Sequence, residues 1–156
     1  MADDLAGLPD HRVRHLRPGQ DHALATAMAF VQQTLDDWYP AGRDRPETRR
    51  VRENAFLVAD ELVANACAHT TGPTRLDLDR VGRRLSISVT DGNAAPPVLP
   101  HPYRPDAPTG HGLKIVDRLA LRWGHRPVGG GKTVWAELLP PVPPLNGVPV
   151  DVSRLD

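Results

Sequence analysis

The sequence of 156 residues contains a single cysteine, Cys67, which excludes a disulfide framework and a cysteine-rich zinc site. It has no apolar run close to the roughly 18 residues needed to cross a bilayer. Its first ten residues carry acidic side chains where a secretory signal would be basic. Nineteen basic and nineteen acidic side chains cancel, so the overall charge favours neither a nucleic acid nor a membrane as partner. We therefore expect a cytoplasmic protein whose partners must be inferred from individual sites.

The chain length suits one compact domain. Composition predicts that residues 1–10 form a flexible leader, residues 11–139 the folded domain, and residues 140–156 a proline-rich disordered tail. Six prolines between residues 93 and 109, with no periodic pattern, predict an irregular loop inside the domain.

Local patterns predict an alternation of helices and strands along the chain. The predicted order is a weak strand at 11–16, helices at 21–38 and 46–69, a hairpin with strands at 75–81 and 84–90, a helix at 110–121, and a second hairpin with strands at 121–128 and 133–139. This order indicates an α+β protein, a two-layer α/β sandwich in which about three helices cover one face of a mixed, mostly antiparallel sheet.

The second predicted helix carries a carboxylate and a carboxamide on one face. Glu61 and Asn65 are four residues apart, which places them one above the other on a helix. The ordinary interpretation is the solvated stripe of an amphipathic helix. The functional interpretation is that the Asn65 oxygen binds a hard cation such as Mg²⁺ while Glu61 orients or deprotonates a nucleophile.

Two glycine-containing turns lie at the ends of predicted elements. Asp91 and Gly92 follow a strand, where an Asp-Gly pair is often only a turn. Gly110 and Gly112 bracket the start of the third helix, where free backbone amides favour a phosphate, although a plain loop-to-helix junction has the same glycines. Lys114 adds a positive charge in the first turn, or lies solvated on the surface.

A resemblance to a known family rests on four segments taken in order: ELVANACAHT, VTDGN, TGHGLKIVDRLA and GGGKTVWAEL. They resemble the GHKL superfamily of ATPases, which comprises histidine-kinase catalytic domains, gyrase, the Hsp90 chaperone and mismatch-repair proteins. The similarity is greatest to bacterial anti-sigma-factor serine/threonine kinases and covers roughly residues 20–139. It implies a Bergerat-type ATP-binding fold with ATP and Mg²⁺ as cofactors.

The resemblance also implies roles for individual residues. Asn65 corresponds to the magnesium ligand and Glu61 to the catalytic general base. Asp91, followed by Gly92, corresponds to the aspartate that accepts a hydrogen bond from the adenine amine, and Thr133 to a residue near the base. The phosphate-binding helix start corresponds to Gly110, His111, Gly112 and Leu113, with Lys114 next to it.

One segment departs from the family pattern. The family usually has Asp-x-Gly-x-Gly, whereas this chain has Asp91-Gly92-Asn93-Ala94-Ala95.

The first hypothesis is a kinase that binds a sigma factor and phosphorylates a serine of an anti-anti-sigma antagonist. The second is a non-catalytic module that binds ATP and sequesters a protein, and the third is an interaction domain without nucleotide affinity. The sequence leaves the partner and the formation of a homodimer open.

Overall fold

The computed structural model describes residues 10–19, 21–40, 46–97 and 111–139, with only the backbone of residues 111 and 112. Within these residues, five strands form one sheet: β1 (Asp10–His15), β2 (Pro73–Val81), β3 (Arg84–Asp91), β4 (Arg122–Val128) and β5 (Gly131–Leu138). The strand order is β1-β2-β3-β5-β4, and each neighbouring pair is antiparallel. Three helices complete the described fold: α1 (Ala23–Trp38), α2 (Pro46–His69) and α3 (His111–Leu119).

The helices cover one face of the sheet because alternate strand residues are apolar. In β3, Leu85, Ile87 and Val89 point to the same side and are buried, as expected for side chains two residues apart on a strand. They join a core with the buried stripes of the helices, in which Val58 and Leu62 of α2 are central. The result is a two-layer α+β sandwich, which confirms the predicted fold class.

α2 has the bounds that its sequence predicts. Pro46 fits the first turn of a helix, where its missing N–H has no intrahelical partner to lose. At the other end, the Thr70 hydroxyl donates to the Ala66 carbonyl and accepts from the Gly72 N–H at 2.9 Å. Gly72 has a φ of 113°, a conformation that favours glycine, and it turns the chain into β2.

α3 is joined to both the helical layer and the sheet. Leu113 and Val116 are buried, and the helix packs chiefly against α2. On the sheet side, Trp123 of β4 donates from its indole Nε1 to the Asp117 carboxylate at 3.0 Å. The orientation of α3 is therefore fixed by one apolar contact surface and one polar contact.

The predicted elements inside the described residues all occur. The weakly patterned first strand is β1, both predicted hairpins form, and the predicted helices match α1, α2 and α3 within a few residues. The sheet is antiparallel at every described pairing. The predicted leader spans residues 1–10, but Asp10 already belongs to β1. Residues 1–9 of the leader, residues 98–109 of the proline-rich loop and the predicted tail at 140–156 lie outside the described residues. No helix in the described part of the chain has the length and apolarity needed to cross a bilayer.

Candidate functional site

Asp91 lies at the end of β3, with its carboxylate on the helix-covered side of the sheet. It is 3% exposed and continues the row of buried alternate residues in β3. Lys132 is directly opposite in β5 and is 4% exposed. The Lys132 ammonium lies 3.0 Å from both Asp91 oxygens, Oδ1 and Oδ2. The sheet therefore ends in a buried ion pair.

The turn after Asp91 is bound to three elements. The Asn93 N–H donates to Asp91 Oδ1 at 2.8 Å, and the Asn93 carbonyl accepts from Lys132 at 2.9 Å. The Asn93 side-chain amide donates to the His69 carbonyl at the end of α2, at 3.3 Å. These contacts connect the ends of β3, β5 and α2 in one polar network.

Gly131 permits the close approach of β5 to the turn. A Cβ at this position would overlap the carbonyl oxygen of Asp91 and would lie 3.0 Å from the Gly92 Cα. Gly92 itself is exposed, and a Cβ there would meet no atom within 4 Å. The glycine that the geometry requires is therefore Gly131, before Lys132.

Glu61 and Asn65 lie on the last turns of α2, on the same side of the helix as His69. Both are half-buried, next to the buried stripe. With a rise of 1.5 Å per residue, Asn65 is about 6 Å and Glu61 about 12 Å along the axis from His69. At the end of this helix, the His69 carbonyl accepts from Asn93 of the turn that follows Asp91.

The predicted glycine-rich helix start is described in part. Gly110 lies outside the described residues, and His111 and Gly112 form the first backbone positions of α3. Leu113 is buried and Lys114 is half-buried. The first N–H groups of a helix have no intrahelical acceptor, so this end of α3 can donate to an anion.

Thr133 points to the opposite face of the sheet from Asp91. It faces the side of the sheet that no described helix covers, where its hydroxyl is hydrogen-bonded to the Thr90 hydroxyl at 2.7 Å. It lines a shallow cleft of about 370 Å³ on that face, with Asp77 and Ser88 among its neighbours. The position opposite Asp91 belongs to Lys132 instead.

Lys132 is the residue of this candidate site that the sequence does not single out. The available signal is that it is one of only two lysines in the chain and follows three glycines. A lysine on a strand is usually solvated, and an assignment to Asp91 needs the pairing register of two strands 41 residues apart.

A cation at this site would have few protein ligands. In the described ranges, no group of three or more His, Cys, Asp or Glu side chains could hold a metal ion. Mg²⁺ bound to phosphate needs only one or two protein oxygens, since water and phosphate supply the rest. Asn65 offers such an oxygen.

A comparison with models of known protein families finds no family that matches the chain. A comparison with curated proteins also finds no match.

Proposed function

We propose that this domain is a GHKL-type ATPase domain that binds ATP with Mg²⁺ and phosphorylates a serine or threonine of a partner protein. The observation that carries the proposal is the hydrogen bond from Asn93 to the carbonyl of His69. It joins the turn of Asp91 to the end of α2, the helix that carries Glu61 and Asn65. This contact supports a shared site in which Asp91 would bind the adenine amine, Asn65 would hold the cation and Glu61 would accept a proton.

Three features of the described residues support ATP as the ligand. An ionised carboxylate accepts about four hydrogen bonds, and the described contacts of Asp91 leave acceptor capacity on Oδ2 for an exocyclic amine. The free amides at the start of α3 suit phosphate oxygens, and α3 packs against α2. Asn65 offers a neutral oxygen ligand for Mg²⁺.

In this proposal each residue has one role. Asp91 accepts a hydrogen bond from the adenine amine, and Asn65 holds the cation. The backbone amides at the start of α3, together with Lys114, bind the phosphates. Bound ATP with Mg²⁺ supplies the phosphoryl group and neutralises charge that develops during its transfer. Glu61 accepts the proton of the attacking hydroxyl.

The protein substrate proposed is an anti-anti-sigma antagonist, and the second protein partner is a sigma factor. This assignment comes from the resemblance of the motif order to anti-sigma-factor kinases. In this proposal the protein acts in the cytoplasm as a regulator of transcription.

A second candidate is a module that binds ATP and sequesters a partner without transferring phosphate. The contacts of Asn93 favour it, because a turn tied to β5 and α2 replaces the glycines of the family pattern after Asp91. Such contacts restrict rearrangement of the turn at residues 91–93 itself.

One experiment separates the two functions. Wild-type protein is titrated with ATP in the presence and absence of Mg²⁺ by calorimetry, and transfer of labelled phosphate to a candidate antagonist is measured in parallel. Binding with transfer supports the kinase, binding without transfer supports the module, and absence of binding overturns both.

Matched variants of α2 test the roles of the two site residues. Glu61→Gln is expected to bind ATP normally while transfer falls about 10²- to 10⁴-fold, the usual contribution of a general base. Asn65→Ala is expected to lose the part of the affinity that depends on Mg²⁺. Glu53→Gln and Asn54→Ala change the same residue types earlier on the same helix and should behave as wild type. Normal binding and transfer in both site variants would refute the assignment.

A further inference from the structure

Lys132 lies against both carboxylate oxygens of Asp91, on the edge where two adjacent N–H donors of a ligand would otherwise bind. Its ammonium is equally far from the two oxygens, at 3.0 Å from each, so it lies across both of them. The Asn93 N–H takes a further site on Oδ1. Of about four acceptor sites on a carboxylate, these contacts leave one, on Oδ2.

The ammonium has three N–H groups, and three acceptors surround it. They are the two oxygens of Asp91 and the carbonyl of Asn93 at 2.9 Å. Lysine has no acceptor and no further donor. With its contacts intact, Lys132 therefore does not donate to a carbonyl group on a base.

The two purine bases present different donors to such a carboxylate. Adenine presents one exocyclic amine beside a ring acceptor, whereas guanine presents its ring N–H and its amine next to each other. A carboxylate with a free edge binds two adjacent donors in a bidentate manner. A carboxylate with one remaining acceptor site can serve one donor only.

We propose that Lys132 determines base specificity at this site, by blocking the bidentate edge of Asp91 so that adenine is accepted and guanine is rejected. This inference rests on the proposed nucleotide-binding function. Lys132 acts here through Asp91 and is a positioning residue for that carboxylate.

The test is the ratio of the dissociation constants for GTP and ATP, measured by calorimetry with Mg²⁺ on the full chain. Wild type is expected to prefer ATP. Lys132→Met frees the edge of Asp91, and the ratio should shift toward GTP by about tenfold to a hundredfold, since a hydrogen bond to a charged group contributes about 1.5–3 kcal/mol and 1.4 kcal/mol is a factor of ten. If Lys132 had a purely structural role, its replacement would weaken the binding of ATP and GTP equally and leave the ratio of their dissociation constants unchanged.

Three further variants complete the test. Lys132→Gln donates to one oxygen only, and it decides the outcome if circular dichroism shows that Lys132→Met does not fold. Lys132→Arg covers both oxygens with its planar fork and should restore the preference for ATP. Arg122→Met removes a cation paired with Glu137 on the other face of the sheet and should leave the ratio as in wild type.

The outcomes distinguish this inference from the function on which it rests. Wild type that binds neither nucleotide overturns the proposed function, and the inference with it. Wild type that binds ATP, together with an unchanged ratio in the folded Lys132→Met or Lys132→Gln protein, overturns the inference alone. A shift toward GTP that Lys132→Arg reverses supports it.

Discussion

Substitutions of Asp91 and Lys132 should have strongly non-additive effects on the free energy of unfolding, because the two residues form an ion pair. Both residues are almost completely buried, so water screens neither charge. Removing one partner of a buried pair leaves a charge without compensation and typically costs about 3–5 kcal/mol. Lys132→Met also removes the hydrogen bond to the Asn93 carbonyl. We therefore expect the free energy of unfolding of this variant to fall by an amount within that range.

Replacing both charged groups should recover most of this loss. The double variant Asp91→Asn with Lys132→Met has no buried charge, and the asparagine oxygen can still accept from the Asn93 N–H. Its free energy of unfolding should lie within about 2 kcal/mol of wild type, because a buried pair contributes little net stability relative to a neutral replacement.

Urea unfolding followed by circular dichroism measures each variant, with equal slopes as the check that the denatured state is unchanged. Arg122→Met, which breaks an exposed ion pair with Glu137, is the control and should unfold close to wild type. A Lys132→Met loss below about 1 kcal/mol, or a double variant equal to the sum of the two single variants, would refute the reasoning.

Three further predictions concern other parts of the structure. Gly131→Ala should lower the free energy of unfolding by about 1–3 kcal/mol, because the new methyl group overlaps the backbone at Asp91; urea unfolding no easier than in wild type would contradict this. His22→Gly should raise it by about 0.5 kcal/mol, since φ is 65° at His22 and the relief of strain exceeds the added chain entropy; a lower melting temperature would disprove it. Burial raises the pKa of the Cys67 thiol, so alkylation by iodoacetamide should reach half its maximal rate at higher pH in the folded protein than in urea; equal midpoints would rule this out.

Much of the fold follows from local sequence patterns. α2 is bounded by Pro46 and by Gly72-Pro73, and these residues set its ends for backbone reasons that hold in any context. The strands β2 and β3 alternate apolar and polar residues around Gly82, which has a φ of 59° in the connecting turn. Signals of this kind need no knowledge of the rest of the chain.

The site was harder to predict because it depends on strand register. The resemblance assigns Thr133 to the neighbourhood of the base, and this stays a prediction. The register pairs Thr133 with Thr90 and Lys132 with Asp91. A change of one residue in register moves a side chain to the opposite face of a sheet. The predicted strand begins at Thr133, whereas β5 begins at Gly131 and includes Lys132. Only the fold decides which of the two side chains faces Asp91.

The partner of Asn93 was also beyond sequence reasoning. The hydrogen bond to His69 joins residues 24 apart through the packing of α2 on the sheet. A polar residue in a turn has many available partners, and the one it meets is set by tertiary structure. The roles of Glu61 and Asn65 stay predictions until nucleotide binding is measured.

The contact between Trp123 and Asp117 makes Trp123 an intrinsic fluorescence probe of α3. Indole emission depends on the charge and hydration around the ring, and this ring is hydrogen-bonded to the helix whose first residues are proposed to bind phosphate. If Trp38 and Trp135 are replaced by phenylalanine, the remaining tryptophan fluorescence comes from Trp123 alone. Movement of α3 could then be followed in real time in unlabelled protein, by stopped-flow mixing with a nucleotide.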